Sequence, residues 1–340
     1  MTTKSNVLPA GEASLGLLDQ ARPRSDQKKS PDLGLRTPMK LGSEATSSSI
    51  GLVINTYQQA HFLSAAIESG LAQKQKFDQI IVVDDGSTDD PAAVVARYPG
   101  VQLIRQPNAG LAAARNTGLK ACTSRYIVFL DADDLLTEDA VAAGLACHAK
   151  HPGAGFIYGA YRFVGPNKEP IGDVTYNEIG TDSYRTLLMF NVIGMHGAVV
   201  YDRSKLDEIG GFDTRVPRCE DYDAYLRMAI RFPVFSCSTL FALYRWHGQN
   251  MSAGHATMLK WALRINEGQK AYTISNSGLE ADRKAGRRAW VKHYVKQVRK
   301  DMFQGLVSKQ GPIAAAKVAW VNAPVLSIAA REFGQWLSTS

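Results

Sequence analysis

Tyr126-Ile127-Val128-Phe129-Leu130-Asp131-Ala132-Asp133-Asp134 is the stretch on which the reading of this chain turns, because a run of strand-forming residues delivers a knot of carboxylates to a strand end. An unbroken apolar run of this length and composition describes a strand buried on both faces. Acids packed as tightly as Asp131, Asp133 and Asp134 ask for a cation. An acidic turn followed by a Thr137 helix cap accounts for the segment equally well when it is taken alone. Its surroundings decide between the two.

Upstream, strand and helix patterns alternate. Ile50 to Thr56 reads as a buried strand, and Gln79 to Asp84 and Val101 to Gln106 read as strands. Between them, His61 to Ala72 carries Phe62/Leu63, Ala66/Ile67 and Leu71 at helical spacing, Asp89-Asp90-Pro91 supplies a helix start, and Leu111 to Cys122 reads as a helix. This βαβαβαβ succession predicts an α/β fold, a mostly parallel twisted sheet flanked by helices, with its ligand site at the carboxyl ends of the strands. The polar residues fall at those ends: Asn55, Thr56 and Tyr57, then Asp84 and Asp85, then Asn108 and Gly110, then Asp131 and Asp133. No GxGxxG follows the first strand and no GxxxxGK[ST] occurs, which weighs against a dinucleotide-binding dehydrogenase and a P-loop enzyme.

With 340 residues, 45% of them hydrophobic, the chain has material for one large or two ordinary domains. Cys122, Cys147, Cys219 and Cys237 stand apart with no CxxC pair, which suggests neither a zinc ribbon nor a disulfide framework and fits a reducing compartment. No signal-peptide core opens the chain. Its most apolar late stretch, Ile313 to Ala330, is interrupted by Lys317, Asn322 and Pro324, so no segment is expected to span a bilayer. These features predict a cytoplasmic protein, with the inner membrane face as a peripheral alternative. Residues 1–48 are rich in Ser, Pro, Gly, Lys and Asp without a sustained period, and read as a disordered or loosely attached extension.

Charge divides the chain. Residues 1–50 carry 7 basic and 5 acidic groups, residues 51–255 carry 18 and 22, and residues 256–340 carry 14 and 5, giving +2, −4 and +9. An acidic middle argues against nucleic acid as a ligand. The basic tail suits a solvated helix face, phosphate, acidic lipid or an acidic partner.

The segments GLVINTYQQAHFLSAAIESGLAQ, IIVVDDGSTDD, NAGLAAARNTGL and YIVFLDADD resemble, in order and spacing, family 2 glycosyltransferases, inverting enzymes of the GT-A fold. The resemblance runs over roughly Ile50 to Ser252. It implies a nucleotide-sugar donor, with UDP the family's commonest nucleotide, and a nucleotide-binding set of Thr56, Asp84, Asp85, Arg115 and Asp131. In that set Asp85 accepts a hydrogen bond from the base, Asp84 shapes the turn, Arg115 lies near the base or phosphates, and Asp131 contacts the ribose or donor sugar. Asp131 and Asp133 look like the family's DxD, in which Asp133 holds a divalent ion, Mn²⁺ or Mg²⁺. Such chemistry uses a hard cation on carboxylate oxygens, because negative charge builds on the departing phosphate.

Further on, Gly210-Gly211-Phe212 followed by Glu220-Asp221 resembles the family's GGF and ED elements, and Asp221 matches the catalytic base. Glu220 and His196 are candidate contacts to the acceptor or donor sugar. The competing explanation for Glu220, Asp221 and Asp223 is attraction to a helix N-terminus, worth about 0.3–1 kcal/mol each. In Tyr244-Arg245-Trp246-His247, His247 matches the position at which relatives place a second metal ligand, and Ala242 stands where processive members carry the Gln of QxxRW. That departure favours transfer of one sugar at a time, to a hydroxyl of a glycan or lipid-linked acceptor.

The expected organisation is an extension over 1–48, a catalytic domain over 49–255 divided near 135 into nucleotide and acceptor halves, and a basic helical region over 256–340. In the last, Lys260 to Ala271 and Asp282 to Phe303 read as helices, with Trp290, Tyr294, Val298 and Met302 along one side. That stripe either packs on the catalytic domain or rests on anionic lipid. Two other classes share parts of this pattern. A haloacid-dehalogenase-like phosphatase also begins with DxD, but Leu135 stands where Thr or Val is expected. A sugar-nucleotide or glycan-binding module of the same fold has no need of a base such as Asp221.

Overall fold

The computed structural model describes residues 48–248, 250–307 and 311–339. The extension expected over residues 1–48 lies outside them, apart from Ser48. From there β1 (Ile50–Thr56), α1 (Ala60–Leu71), β2 (Gln79–Asp84), α2 (Pro91–Val95), β3 (Val101–Arg105), α3 (Leu111–Ala121) and β4 (Tyr126–Asp131) alternate, within a residue or so of the elements expected. In β1, Ile50, Leu52 and Ile54 enter one hydrophobic cluster while Val53 enters another, so both faces of the sheet are dry. Helix α3 can approach so closely because it carries Gly118, where a Cβ would stand 2.2 Å from a Val53 methyl.

These four strands are parallel in the order β3-β2-β1-β4, so the chain reverses direction across the sheet between β1 and β4. A crevice opens at the carboxyl ends of such a pair. The register sets Asn55 beside Asp131 and Thr56 beside Asp84.

Then come β5 (Leu135–Leu136), α4 (Ala140–Lys150), β6 (Phe156–Val164), β7 (Pro170–Thr175), α5 (Ser183–Met189), β8 (Val199–Asp202), α6 (Arg203–Glu208), α7 (Glu220–Ala229) and β9 (Val234–Arg245). They extend the sheet to β3-β2-β1-β4-β8-β6-β9-β5, with β7 on β6. Here the sheet becomes mixed, since β8 runs antiparallel to both β4 and β6. The reason is local: β8 starts at the crevice, directly after a 3₁₀ turn at His196–Ala198, and must run back from it.

The C-terminal region is helical as expected: α8 (His255–Gly268), α9 (Lys270–Thr273), α10 (Ser277–Val307), α11 (Gly311–Val321) and α12 (Ala323–Thr339). Trp290, Tyr294 and Val298 are buried, Trp290 lying 4.4 Å from the Phe190 ring and 5.4 Å from that of Tyr222. Gly286 lets α10 meet the end of α5, for a Cβ there would sit 2.3 Å from the Leu188 carbonyl oxygen. The Trp290 stripe is therefore packing against the sheet domain, and the lipid-resting alternative for it is corrected. Among the described residues no single helix is long and apolar enough to cross a membrane.

Candidate active site

Two cavities meet at the ends of β1 and β4. The smaller, about 590 Å³, is lined by Asn55, Thr56, Asp85, Gly110, Asp131 and Asp133. Asn55 and Thr56 are buried, yet neither the Asn55 amide atoms nor the Thr56 hydroxyl has a protein partner. Buried polar groups left unpaired cost about 1–3 kcal/mol each, so three such atoms together mark a place built to meet polar groups of something else. The Asp85 carboxylate accepts from Gln106 Nε2 at 2.7 Å and from the amides of Ala109 at 2.9 Å and Gly110 at 2.8 Å. It thereby pins the loop ahead of α3 and keeps one lone pair for a ligand.

At Asp133 this cleft adjoins His247, which lines the larger cavity, and His247 Nε2 lies 3.0 Å from Asp133 Oδ2. The His247 ring rests against Phe62, with centroids 5.0 Å apart, and its amide donates to Asn250. Adjacent ligands of an octahedral ion bonded at about 2.1 Å lie about 3 Å apart, so this pair fits two neighbouring positions of a Mg²⁺- or Mn²⁺-like centre. No cluster of three or more such ligands occurs among the described residues. A centre here would complete its shell from water and phosphate oxygens, the usual habit of Mg²⁺.

The larger cavity, about 1230 Å³, is lined by Asp131, Asp221, His247, Trp246, Trp290 and Tyr294 among others. Asp131 lines both cavities and is their junction. Asp221 is the second residue of α7, whose N-cap Cys219 has a φ of +59°, the left-handed region that non-glycine residues seldom adopt. Burial, reinforced by the neighbouring Glu220 carboxylate, pushes Asp221 up to about 6, against the pull of Arg115 and the Tyr222 amide, which donates to it at 2.7 Å. A carboxylate with that pKa can hold or release a proton near neutrality.

Beneath Asp221 lies a buried ion-pair network. Arg115 bonds to Glu220 through one nitrogen and to Asp131 at 3.0 and 3.2 Å through another. The next residue, Asn116, clasps the other half of the protein, donating to the Phe212 carbonyl at 2.7 Å and accepting from the Phe212 amide at 2.8 Å. The stretch read as NAGLAAARNTGL thus joins the nucleotide half to the segment that carries Asp221.

One expected placement is corrected. Arg115, expected near the base or phosphates, is only 2% exposed, lines the larger cavity rather than the nucleotide cleft, and is committed to two carboxylates. Glu220, a candidate contact to acceptor or donor sugar, lines the larger cavity but is buried and bonded to Arg115. Asp84, expected in the nucleotide set as the residue that shapes the turn, accepts from the Ser87 amide at 2.8 Å and meets Arg105 at 3.3 Å, so it holds that turn and lines neither cavity. His196 lines the larger cavity, with Nε2 3.0 Å from the Tyr201 hydroxyl and Nδ1 unpartnered. Burial and nearby Arg115 hold its pKa well below the usual range, so it is a neutral imidazole. Thr56, Asp85, Asp131, Asp133, Asp221 and His247 do come together around the two cavities.

The sequence places Asn55 at the crevice without giving it a role, and it does not reveal the α10 wall. Asn55 was legible as a polar residue ending an apolar strand beside the acidic one. Trp290 and Tyr294 bore a helical period but no sign of the cavity they face.

A parallel sheet with carboxylates at its switch point, continued by a mixed half that brings an Asp from a helix start, defines an α/β protein of the GT-A type. Residues 52–210 match the model of glycosyl transferase family 2. The chain is 27% identical to chondroitin synthase of Escherichia coli over 207 residues, covering 60% of this chain but only 30% of that protein. In fold it is similar to Staphylococcus aureus TarS 1–349 in complex with UDP-GlcNAc, with a TM-score of 0.54, 14% identity and coverage of 84% and 92% of the two chains. It is also similar to the mannosyltransferase PcManGT from Pyrobaculum calidifontis in complex with GDP-Man and Mn²⁺, with a TM-score of 0.54, 19% identity and coverage of 82% and 80%.

Proposed function

We propose that this chain transfers a single sugar from a nucleotide diphosphate sugar, with UDP the first candidate, to a hydroxyl of a glycan or lipid-linked acceptor, with inversion at the anomeric carbon. The observation that carries this reading is Asp221, tuned to about 6 and facing the same cavity as Asp131 and His247. Asn55, Thr56 and Asp85 would hold the nucleoside, and Asp131, at the junction, the ribose or donor sugar. Asp133 and His247 would hold Mn²⁺ or Mg²⁺, which supplies positive charge to the leaving diphosphate. Asp221 would take the acceptor's proton as its oxygen attacks opposite the leaving group. Arg115 and Glu220 would keep Asp131 and Asp221 in fixed relation. The relatives in complex with UDP-GlcNAc and with GDP-Man and Mn²⁺ support a nucleotide-sugar donor and a divalent ion.

The same reading divides the chain into a catalytic domain over 49–255 and a helical region over 256–340 that supplies one wall of the acceptor cavity. The decisive experiment is a panel of nucleotide sugars, each with Mn²⁺, assayed for thermal protection and for slow donor hydrolysis. One donor should raise the Tm and be hydrolysed without acceptor. A panel in which none does either sinks the proposal, and protection without hydrolysis or transfer points to a binding module.

A further inference from the structure

The outer face of α10 changes character along its length. Residues 283–300 contain eight Lys or Arg and no Asp or Glu. The acids that flank this run turn inward, Asp282 to Arg185, Glu280 to Arg283, and Asp301 to His255 at 2.8 Å. Arg288, Lys292, Lys296 and Arg299 are exposed, and their spacing places them along one side of the helix. The same side continues into Phe303 and Leu306, which are 65% and 52% exposed. Further along the chain, α11 adds Ile313, Trp320 and Val321, which are 77%, 83% and 60% exposed. The helices Gly311–Val321 and Ala323–Arg331 meet at 61° and together have the apolar composition of a broken or re-entrant span.

We infer that this helical tip docks on a bilayer containing anionic lipid, with Phe303, Leu306, Ile313, Trp320 and Val321 entering the interface and the cationic face of α10 lying over the headgroups. Charge chooses this occupant over a second copy of the chain, whose own tip would bring the same cations into apposition. Apolar contact plus a basic stripe is the two-part signal that reversible membrane binding requires. The surface is separate from the buried Trp290 stripe on the opposite side of α10. Docking also has a use: the larger cavity is lined both by Asp221 and by Gly305, Ala314 and Val318 of the docking helices, so an acceptor anchored in the bilayer would meet the cavity at its membrane end. That use, unlike the docking itself, rests on the sugar-transfer reading.

The test is flotation of the full chain with vesicles of phosphatidylcholine alone and with vesicles in which phosphatidylglycerol replaces part of it. The chain should float with the anionic vesicles and not with the neutral ones at physiological salt. Each cation near such a surface is worth about a five-fold gain in partition, so the triple change Lys292→Gln, Lys296→Gln, Arg299→Gln should lower it about 100-fold. Trp320→Ser should weaken it further, and a blue shift of tryptophan emission on anionic vesicles should be lost in Trp320→Phe. All four side chains are exposed, and unchanged thermal melting of the variants would show that they fold. Absence of flotation, binding unaffected by either change, or a concentration-dependent dimer abolished by Trp320→Ser would overturn the inference. Because no donor is present, the result stands or falls apart from any outcome with nucleotide sugars.

Discussion

The smaller cavity is walled mainly by the ends of β1 and β4, the loops after β1 to β4 and the start of α3, with Thr214, Pro217, Arg218, Tyr244, Asn250 and Met251 closing it, whereas the larger one gathers its wall from the sheet, from α7 and from helices more than 140 residues beyond β4. In the first, main-chain register alone brings Asn55 to Asp131, and Asp85 fixes the loop around it. In the second, position depends on long-range clasps: Arg115 to Glu220 across 105 residues, Asn116 to Phe212, and Gly286 of α10 against α5. A site of this build separates two tasks. The cleft is set by local topology and suits a constant ligand part, while the cavity is free to vary with whatever helices close it.

The largest test of that division is Asp221→Asn. Loss of a positioned base costs about 10²–10⁴ in rate, so transfer should collapse while nucleotide binding in the cleft is kept. The same variant should be more stable than the native chain at neutral pH, by roughly 1–3 kcal/mol. The sign follows from the direction of the shift. Asp221 is raised to about 6 when folded, so its contribution is complete below the ordinary carboxylate range and is lost as pH rises through about 6. The two denaturation profiles should converge in acid. Near-native transfer by Asp221→Asn would reduce Asp221 to a helix-end acid.

Asp133→Asn should act on the cleft instead. Titration calorimetry should show metal-dependent UDP affinity reduced by at least about 10–100-fold, the range quoted even for residues that only support a metal ligand. If affinity with Mn²⁺ is unchanged in a folded variant, the Asp133–His247 pair is a plain hydrogen bond, and the cleft binds without a cation at that place.

How much of this was legible follows the same division. The elements β1, β2 and β4 could be read because each apolar run is short, dry on both faces and ended by a polar residue that has nowhere to go but the crevice, and β3, an edge strand with Gln102 and Arg105 exposed, by its place in the alternation. Asp133, His247 and Asp221 stand out in the sequence through motifs whose order survives in this chain. The ion pair of Arg115 with Glu220 was not legible, because a buried ion pair and a ligand-binding pair look alike in sequence; only burial and the long-range contact tell them apart. The C-terminal stripe announced a helix face without announcing its partner, since periodicity records that a side is apolar and not what covers it.

Gly286→Val probes the long-range clasps. Its side chain has no room beside the Leu188 carbonyl, so the variant should lose about 1–3 kcal/mol in chemical denaturation, as overpacked sites do. UDP affinity should stay native, because no cleft residue belongs to α5 or α10. A parallel loss of UDP affinity would break the comparison, for the cleft would then depend on the helices after all.

The smallest effect expected is from Glu220→Gln, and it isolates the tuning of Asp221. The amide keeps the shape and can still accept from Arg115, but it removes the negative charge that helps raise Asp221 and leaves Arg115 less neutralised. Both changes favour the ionised Asp221, so its pKa should fall from about 6. As a base, Asp221 acts when ionised, and the native rate should therefore drop as pH falls through about 6. In Glu220→Gln that acid limb should move to lower pH, making the variant relatively more active near pH 5, with neutral-pH rates within about tenfold of native. Burial is the first cause of the Asp221 shift, so the limb should move without reaching the position of an exposed carboxylate. A rate lowered equally at every pH would mean that Glu220 only braces Arg115. An acid limb that stays in place while the rate is otherwise native would mean that a group other than Asp221 is titrating.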